Sequence, residues 1–336
     1  AWLSLTQKEL LPELVKEIAT SKKQIDEVNW ALVQIKQNSD AAYSEVVLLH
    51  QEKTVATAKQ YWGVEINGTA SIRPQLVRNH RNNQNEVVVQ DAAHNLYLID
   101  AKGTVLWTRG LDGPILGEIS QVDMYKNNKL QLAFNTAQRF YIIDRNGKDV
   151  TNFPVKLPAT ATAPMGILDY DNNRTYRFIV PCGKELYNYD VDGNQVKGWA
   201  FSKAKAMIIM QPKHAVIGTK DFIYTADEAG NVYVLNRRGE VRESIKNKLS
   251  NLASGIYLVG DKVEGGKLSA LGKSGYTINL LLKDQIDSIQ PYSQTPEYMV
   301  VTDKAILYGA KNEVYKRSDA SNFDIDLDEE IVAEPR

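Results

Sequence analysis

The chain has 336 residues, with 40 Lys and Arg against 41 Asp and Glu, and a hydrophobic share of 43%. That balance excludes a disordered or collagen-like chain, and a net charge of −1 leaves no broad cationic field for nucleic acid or an anionic membrane surface. No run of about 18 apolar residues suggests a membrane span, and a single cysteine, Cys182, excludes an intrachain disulfide or a multi-thiol zinc site.

The chain starts at Ala1 without a basic-then-apolar leader, which reads as a processed or truncated product. Residues 4–25 read as a helix, with Ser4 or Thr6 as N-cap and Leu11, Leu14, Val15 and Ile18 on one face. Two strands, 30–35 and 43–49, then flank the polar turn Gln37-Asn38-Ser39-Asp40. A helix and a hairpin cannot build a core alone. Residues 1–56 are therefore expected to end an upstream domain.

From residue 57 a repeat takes over. Tyr97-x-x-Asp100-x-x-Gly103 returns as Tyr141, Asp144, Gly147, then Tyr187, Asp190, Gly193, then Tyr233, Asn236, Gly239. The tyrosines are 44, 46 and 46 residues apart. Tyr276 keeps Asn279 but no glycine, and Tyr315 keeps only the strand. Alternating apolar residues ending in Asp-x-x-Gly describe a strand entering a tight turn, with the acid accepting turn amides and glycine supplying positive φ. The pairs Asn82-Asn83, Asn127-Asn128 and Asn172-Asn173 mark an earlier turn in each unit. Each unit of about 45 residues thus reads as four antiparallel strands, one blade of a β-propeller. Units begin near Gln75, Glu118, Met165, Ala215 and Gly255, and a sixth near Glu297 supplies three strands. Residues 60–66 resemble the outer strand 106–111 and are expected to complete the sixth blade, leaving no open edge. The expected fold is all-β: a six-bladed propeller of four-stranded antiparallel blades over 57–317, preceded by the helix and hairpin. Residues 318–336 read as a solvated acidic tail, although the alternation of Phe323, Ile325 and Leu327 permits a strand.

Catalytic and metal motifs are poor in this sequence. Asp190-Val191-Asp192-Gly193-Asn194 and Asp169-Tyr170-Asp171 alternate oxygen ligands, but twelve positions from Asp190 stands Phe201 rather than a bidentate Glu, so turn chemistry is the better reading. Of His50, His80, His94 and His214, only His80 and His94 share a unit. No Gly-x-Ser-x-Gly, phosphate-binding Gly-Lys loop or His-Glu-x-x-His occurs. No metal, cofactor or catalytic residue is expected. Recurrence at one position makes Tyr97, Tyr141, Tyr187 and Tyr233 structural, and Trp62, Trp107 and Trp199 read as outer-strand packing.

The run Asn95-x-Tyr97-x-x-Asp100-x-x-Gly103-x-x-x-Trp107 resembles the quinoprotein-type (PQQ-like), WD40-like propeller repeat, over roughly residues 59–317. Quinoprotein dehydrogenases pair adjacent cysteines and bind calcium, whereas this chain has one cysteine. The resemblance therefore points to the cofactor-free scaffold branch, which includes propeller lipoproteins of outer-membrane protein assembly. It implies a non-catalytic interaction module of the bacterial cell envelope, periplasmic or outer-membrane-associated, docking another envelope protein or complex. The alternative is a ligand-binding or hydrolytic propeller taking a glycan or small molecule at the central channel. Docking is expected on the face formed by the loops between second and third strands and by the inter-blade connections. The candidate rim is His94, Asp112, Gln138, Lys184, Lys205, Asp227, Glu228 and Lys273.

Overall fold

The computed structural model describes residues 63–249 continuously, together with strands within 30–49 and 252–326. The helix expected over 4–25 lies outside the described residues. The chain divides into two units, Ala1–Trp62 and Gly63–Arg336. In the first, β1 (Trp30–Asn38) pairs antiparallel with β2 (Ala41–Leu49). The register Asn38↔Ala41 carries both strands further than expected and narrows the turn to Ser39-Asp40.

The second unit is a succession of antiparallel sheets, six among the described residues. The first holds β3 (Gln75–Arg78), β4 (Asn85–Gln90), β5 (Asn95–Ile99) and β6 (Val105–Gly110). The second holds β7 (Leu116–Val122), β8 (Gln131–Asn135), β9 (Arg139–Ile143) and β10 (Val155–Lys156). The third has β11 (Gly166–Leu168), β12 (Arg177–Cys182) and β13 (Glu185–Tyr189). The fourth contains β14 (Lys213–Ile217), β15 (Lys220–Ala226), β16 (Val232–Leu235) and β17 (Val241–Glu243). The fifth comprises β18 (Leu252–Val259), β19 (Lys267–Gly272), β20 (Tyr276–Leu281) and β21 (Gln285–Pro291). The last comprises β22 (Tyr298–Val301), β23 (Ile306–Ala310), β24 (Glu313–Arg317) and β25 (Phe323–Asp326).

Two sheets differ from expectation. The third has three strands, because the stretch after β13 returns to it only through the isolated bridge Tyr189↔Gln195. Gly193 and Gly198, at φ 79 and 78, bend that stretch. The Trp199 indole N–H then donates to the Leu186 carbonyl at 2.9 Å, an acceptor that a regular fourth strand would engage through its backbone. The sixth sheet takes its fourth strand from the C-terminal side, not from residues 60–66. There β25 pairs with β24 through Val314↔Ile325 and Tyr315↔Asp324, while residues 63–66 belong to no strand. The alternation of Phe323 and Ile325 with aspartates is the period-two pattern of a strand with one apolar face, and it wins the position.

Packing explains why the sheets follow one another face to face. Leu96 and Leu98 of the first sheet meet Leu132, Phe134 and Ile143 of the second in one buried cluster. Phe140 and Ile142 on the other face of the second sheet meet Phe178 and Val180 of the third. Ile179 and Leu186 then meet Ile223 and Leu235, and Phe222 and Val234 meet Leu268 and Ala270. Each of these central sheets is thus apolar on both faces, which is why Gln131–Asn135 is buried at every position. The first strands of successive sheets converge. At Gly166 of β11 a Cβ would lie 2.2 Å from the Pro212 carbonyl oxygen just before β14, so only glycine permits the approach.

Candidate docking face

The loops joining second to third strands lie at one end of the sheets, bonded to the connections between sheets. Leu111 N–H donates to His94 O (3.0 Å), Leu157 to Gln138 O (2.9 Å), Ala204 to Lys184 O (2.7 Å) and Glu228 to Met207 O (2.8 Å).

The repeat tyrosines anchor this end, each by a hydrogen bond to a carboxylate. Tyr97 Oη donates to Asp91 Oδ2 at 2.7 Å, Tyr141 to Asp112 Oδ1 at 2.9 Å, and Tyr233 to Asp227 Oδ2 at 2.8 Å. Tyr187 donates to Glu185 Oε2. Two of these hydroxyls also accept from the connection that enters their own sheet, Tyr97 from Asn67 N at 3.3 Å and Tyr233 from Lys205 N at 2.7 Å. Asp227 further accepts the amides of Ala206, Ala229 and Asn231 at 2.9–3.0 Å. Burial raises the Asp91 and Asp227 carboxyls, but hydrogen bonds outweigh it, from Asn95 and Tyr97 at one and from Asn231 and Tyr233 at the other, holding both below the ordinary carboxylate value. Burial, with the bond to Asp227, pushes the Tyr233 hydroxyl up to about 12. The bond to Glu185, with burial, does the same at Tyr187.

The rim residues fall into two groups. His94, Asp112 and Gln138 gather across the first and second sheets. His94 is a loop residue at φ 66, and the Asp112 carboxylate is occupied by Thr136 Oγ1 (2.8 Å) as well as Tyr141. Lys184, Lys205, Asp227 and Glu228 gather across the third and fourth, where Lys184 Nζ donates to Lys205 O at 2.9 Å. Asp227 needs correcting: it is 1% exposed, with its carboxylate bonded inward, so it holds the loop and offers nothing to solvent. Lys273 lies outside the described residues. The sequence reading missed the apolar side chains beside the second group. Met207 and Ile209 are 38% and 39% exposed on the connection into the fourth sheet, and Glu228 Oε1 accepts from Met207 N at 3.3 Å. An exposed Met-x-Ile alternation in a connection is the signal that could have found them.

The opposite end of the sheets carries the Asp-x-x-Gly turns. Asp100, Asp144 and Asp190 each accept two turn amides at 2.8–2.9 Å, and Asn236 accepts those of Arg238 and Glu240. Gly103, Gly147, Gly193 and Gly239 take φ 76–87. Three of these glycines do a second job. A Cβ on Gly147 would lie 2.9 Å from the Trp107 ring, on Gly193 2.9 Å from Val155, and on Gly239 2.8 Å from the Trp199 ring. Each sheet's outer residue therefore stacks on the next sheet's turn. Arginines add ion pairs in the same sense: Arg145 to Glu86, Arg174 to Asp123 at 2.6 Å and Arg237 to Asp171 at 2.8 Å. His80 also serves this contact, accepting Leu130 N at Nδ1 (3.1 Å). Burial and nearby Arg81, Arg145 and Lys129 lower its pKa, which favours that neutral acceptor.

No protein-family model matches the sequence, and no curated protein matches it either. Solved structures do match in fold. A crystal structure of BBS1N in complex with ARL6DN, soaked with lead, superposes with a TM-score of 0.55 at 12% identity, over 79% of this chain and 84% of that one. The Dos1 propeller superposes with a TM-score of 0.59 at 10% identity, over 80% of this chain and 75% of its own. The chain is an all-β protein of the β-propeller fold, built from antiparallel sheets that are mostly four-stranded.

Proposed function

We propose that this chain is a non-catalytic protein-docking scaffold of the bacterial cell envelope. In this reading its six sheets close into a six-bladed propeller of the quinoprotein-like repeat type, residues 1–56 end an upstream domain, and the partner is another envelope protein or complex. The carrying observation is the patch on the connection into the fourth sheet. Met207 and Ile209 expose apolar side chains between the charged residues Lys184, Lys205 and Glu228. An apolar centre with a polar, charged border is the anatomy of a docking site. One structural neighbour, BBS1N, was solved in complex with a protein partner, which supports a binding role for the fold. The envelope setting rests on the repeat resemblance.

The test is cross-linking mass spectrometry on the tagged protein from gently solubilised cells, comparing the native chain with Met207→Glu. The expected result is one recurring envelope protein cross-linked through Lys184 or Lys205, lost in the variant while its melting temperature is unchanged. A native chain recovered repeatedly without a partner overturns the reading.

A further inference from the structure

Where the third sheet loses its fourth strand it gains a cleft. The residue after the repeat tyrosine is Leu98, Ile142 and Val234 in the first, second and fourth sheets, each buried in an apolar cluster. In the third it is Asn188, 3% exposed. Its Oδ1 is buried and has no hydrogen-bond partner, a costly state that a folded chain rarely keeps without a reason. Asn188 shares a strand face with Leu186, two residues away, and Leu186 packs toward the fourth sheet among Trp199 and Phe201.

A cleft of about 220 Å³ opens here, lined by Asn188, Gln195, Trp199, Phe201 and Ser202 along with the edge of β13 at Glu185. Glu185 is the one charged residue of the lining, which contains no lysine, arginine or histidine. The occupant therefore has to supply donors, has no need of acceptors, and is favoured by positive charge. A basic side chain meets each demand. Its head carries only donors, aromatic rings attract it, and its aliphatic stem can lie on apolar surface.

We infer that this cleft binds a lysine or arginine side chain of a partner polypeptide, the cationic head donating to Asn188 Oδ1 and the stem lying against Trp199 and Phe201. The source of that side chain rests on the docking reading; the site itself does not. The probe is N-acetyl-arginine amide, titrated into the full chain while the Asn188 side-chain amide and Trp199 indole resonances are followed. The citrulline analogue, equal in shape and neutral, is the control. Saturable shifts with arginine are expected, with citrulline about tenfold weaker or worse, as loss of a cation from an aromatic site implies. Asn188→Leu restores the residue type of the other sheets, so it should abolish the response while melting no lower than the native chain. Equal responses to both probes, no response, or a lower-melting Asn188→Leu each overturn the inference. A partner cross-linked equally well by native chain and Asn188→Leu removes this site but leaves the docking reading intact. An arginine response without any recovered partner does the reverse.

Discussion

Tyr233 and Asp227 show how single residues hold the loop end together. The hydroxyl bridges a buried carboxylate and the amide of Lys205, so Tyr233→Phe removes one donor from Asp227 and one acceptor from the connection. A hydrogen bond to a charged group contributes about 1.5–3 kcal/mol, so a loss of that order in urea or thermal unfolding is expected. The pH dependence follows from the lowered carboxyls at Asp91 and Asp227. The folded chain gives up these protons more readily than the unfolded chain, whose carboxyls keep the ordinary value of 3.8. Their stabilisation is complete above that value and is lost as pH falls through the lower folded ones. Melting temperature should thus hold level through neutral and mildly acidic pH and drop below about pH 4. Asp227→Asn should start lower and drop less, and a parallel acid limb in that variant would rule out the assignment. Only half of this arrangement was legible in the sequence. The tyrosines recur at one position, but their carboxylates lie 6, 29, 2 and 6 residues away, an irregularity that no fixed-offset pattern detects.

At the scale of the element, the Asp-x-x-Gly turn was read from the sequence as a local device, and the structure makes it an inter-sheet one. Gly147 needs a positive φ for its own turn and a bare Cα for the Trp107 ring of the preceding sheet. These two demands can be separated by experiment. Gly147→Ala in the native background should incur both the backbone strain, about 1 kcal/mol, and the collision with indole. In a Trp107→Val background, which copies the Val155–Gly193 pairing, only the strain should remain. The two substitutions should therefore be non-additive by about 1 kcal/mol or more in a double-mutant cycle. Strict additivity would mean that the ring moves aside freely. The glycine was visible in the sequence because a turn is local. Its stacking partner was not, because the contact joins consecutive repeats some 40 residues apart, and Trp107 alone reads as ordinary outer-strand packing.

For the whole molecule, the sequence predicted the succession of sheets well because hairpin-connected strands leave a period-two pattern and turn residues at a regular interval. It went astray at the two irregular outer strands, for related reasons. Val191–Trp199 keeps the composition of an outer strand, but Trp199 takes by its side chain the Leu186 carbonyl that a regular strand would bond through its backbone. Residues 60–66 resemble an outer strand in composition, yet β25 holds that place. Charge made β25 read as tail: Asp324, Asp326, Asp328, Glu329 and Glu330 overshadowed the alternating Phe323 and Ile325. The sheet's integrity now depends on the chain's far end, and that can be tested by truncation. A chain ending at Arg317 lacks β25 and leaves the unpaired groups of β24 open to other molecules. It should melt lower than the full chain and aggregate on warming, as followed by light scattering. A chain ending at Asp328 keeps the strand and sheds most of the remaining acidic residues, and it should behave as the full chain does. If the two truncated chains scatter and melt alike, the acidic residues govern solubility and β25 does not guard the edge.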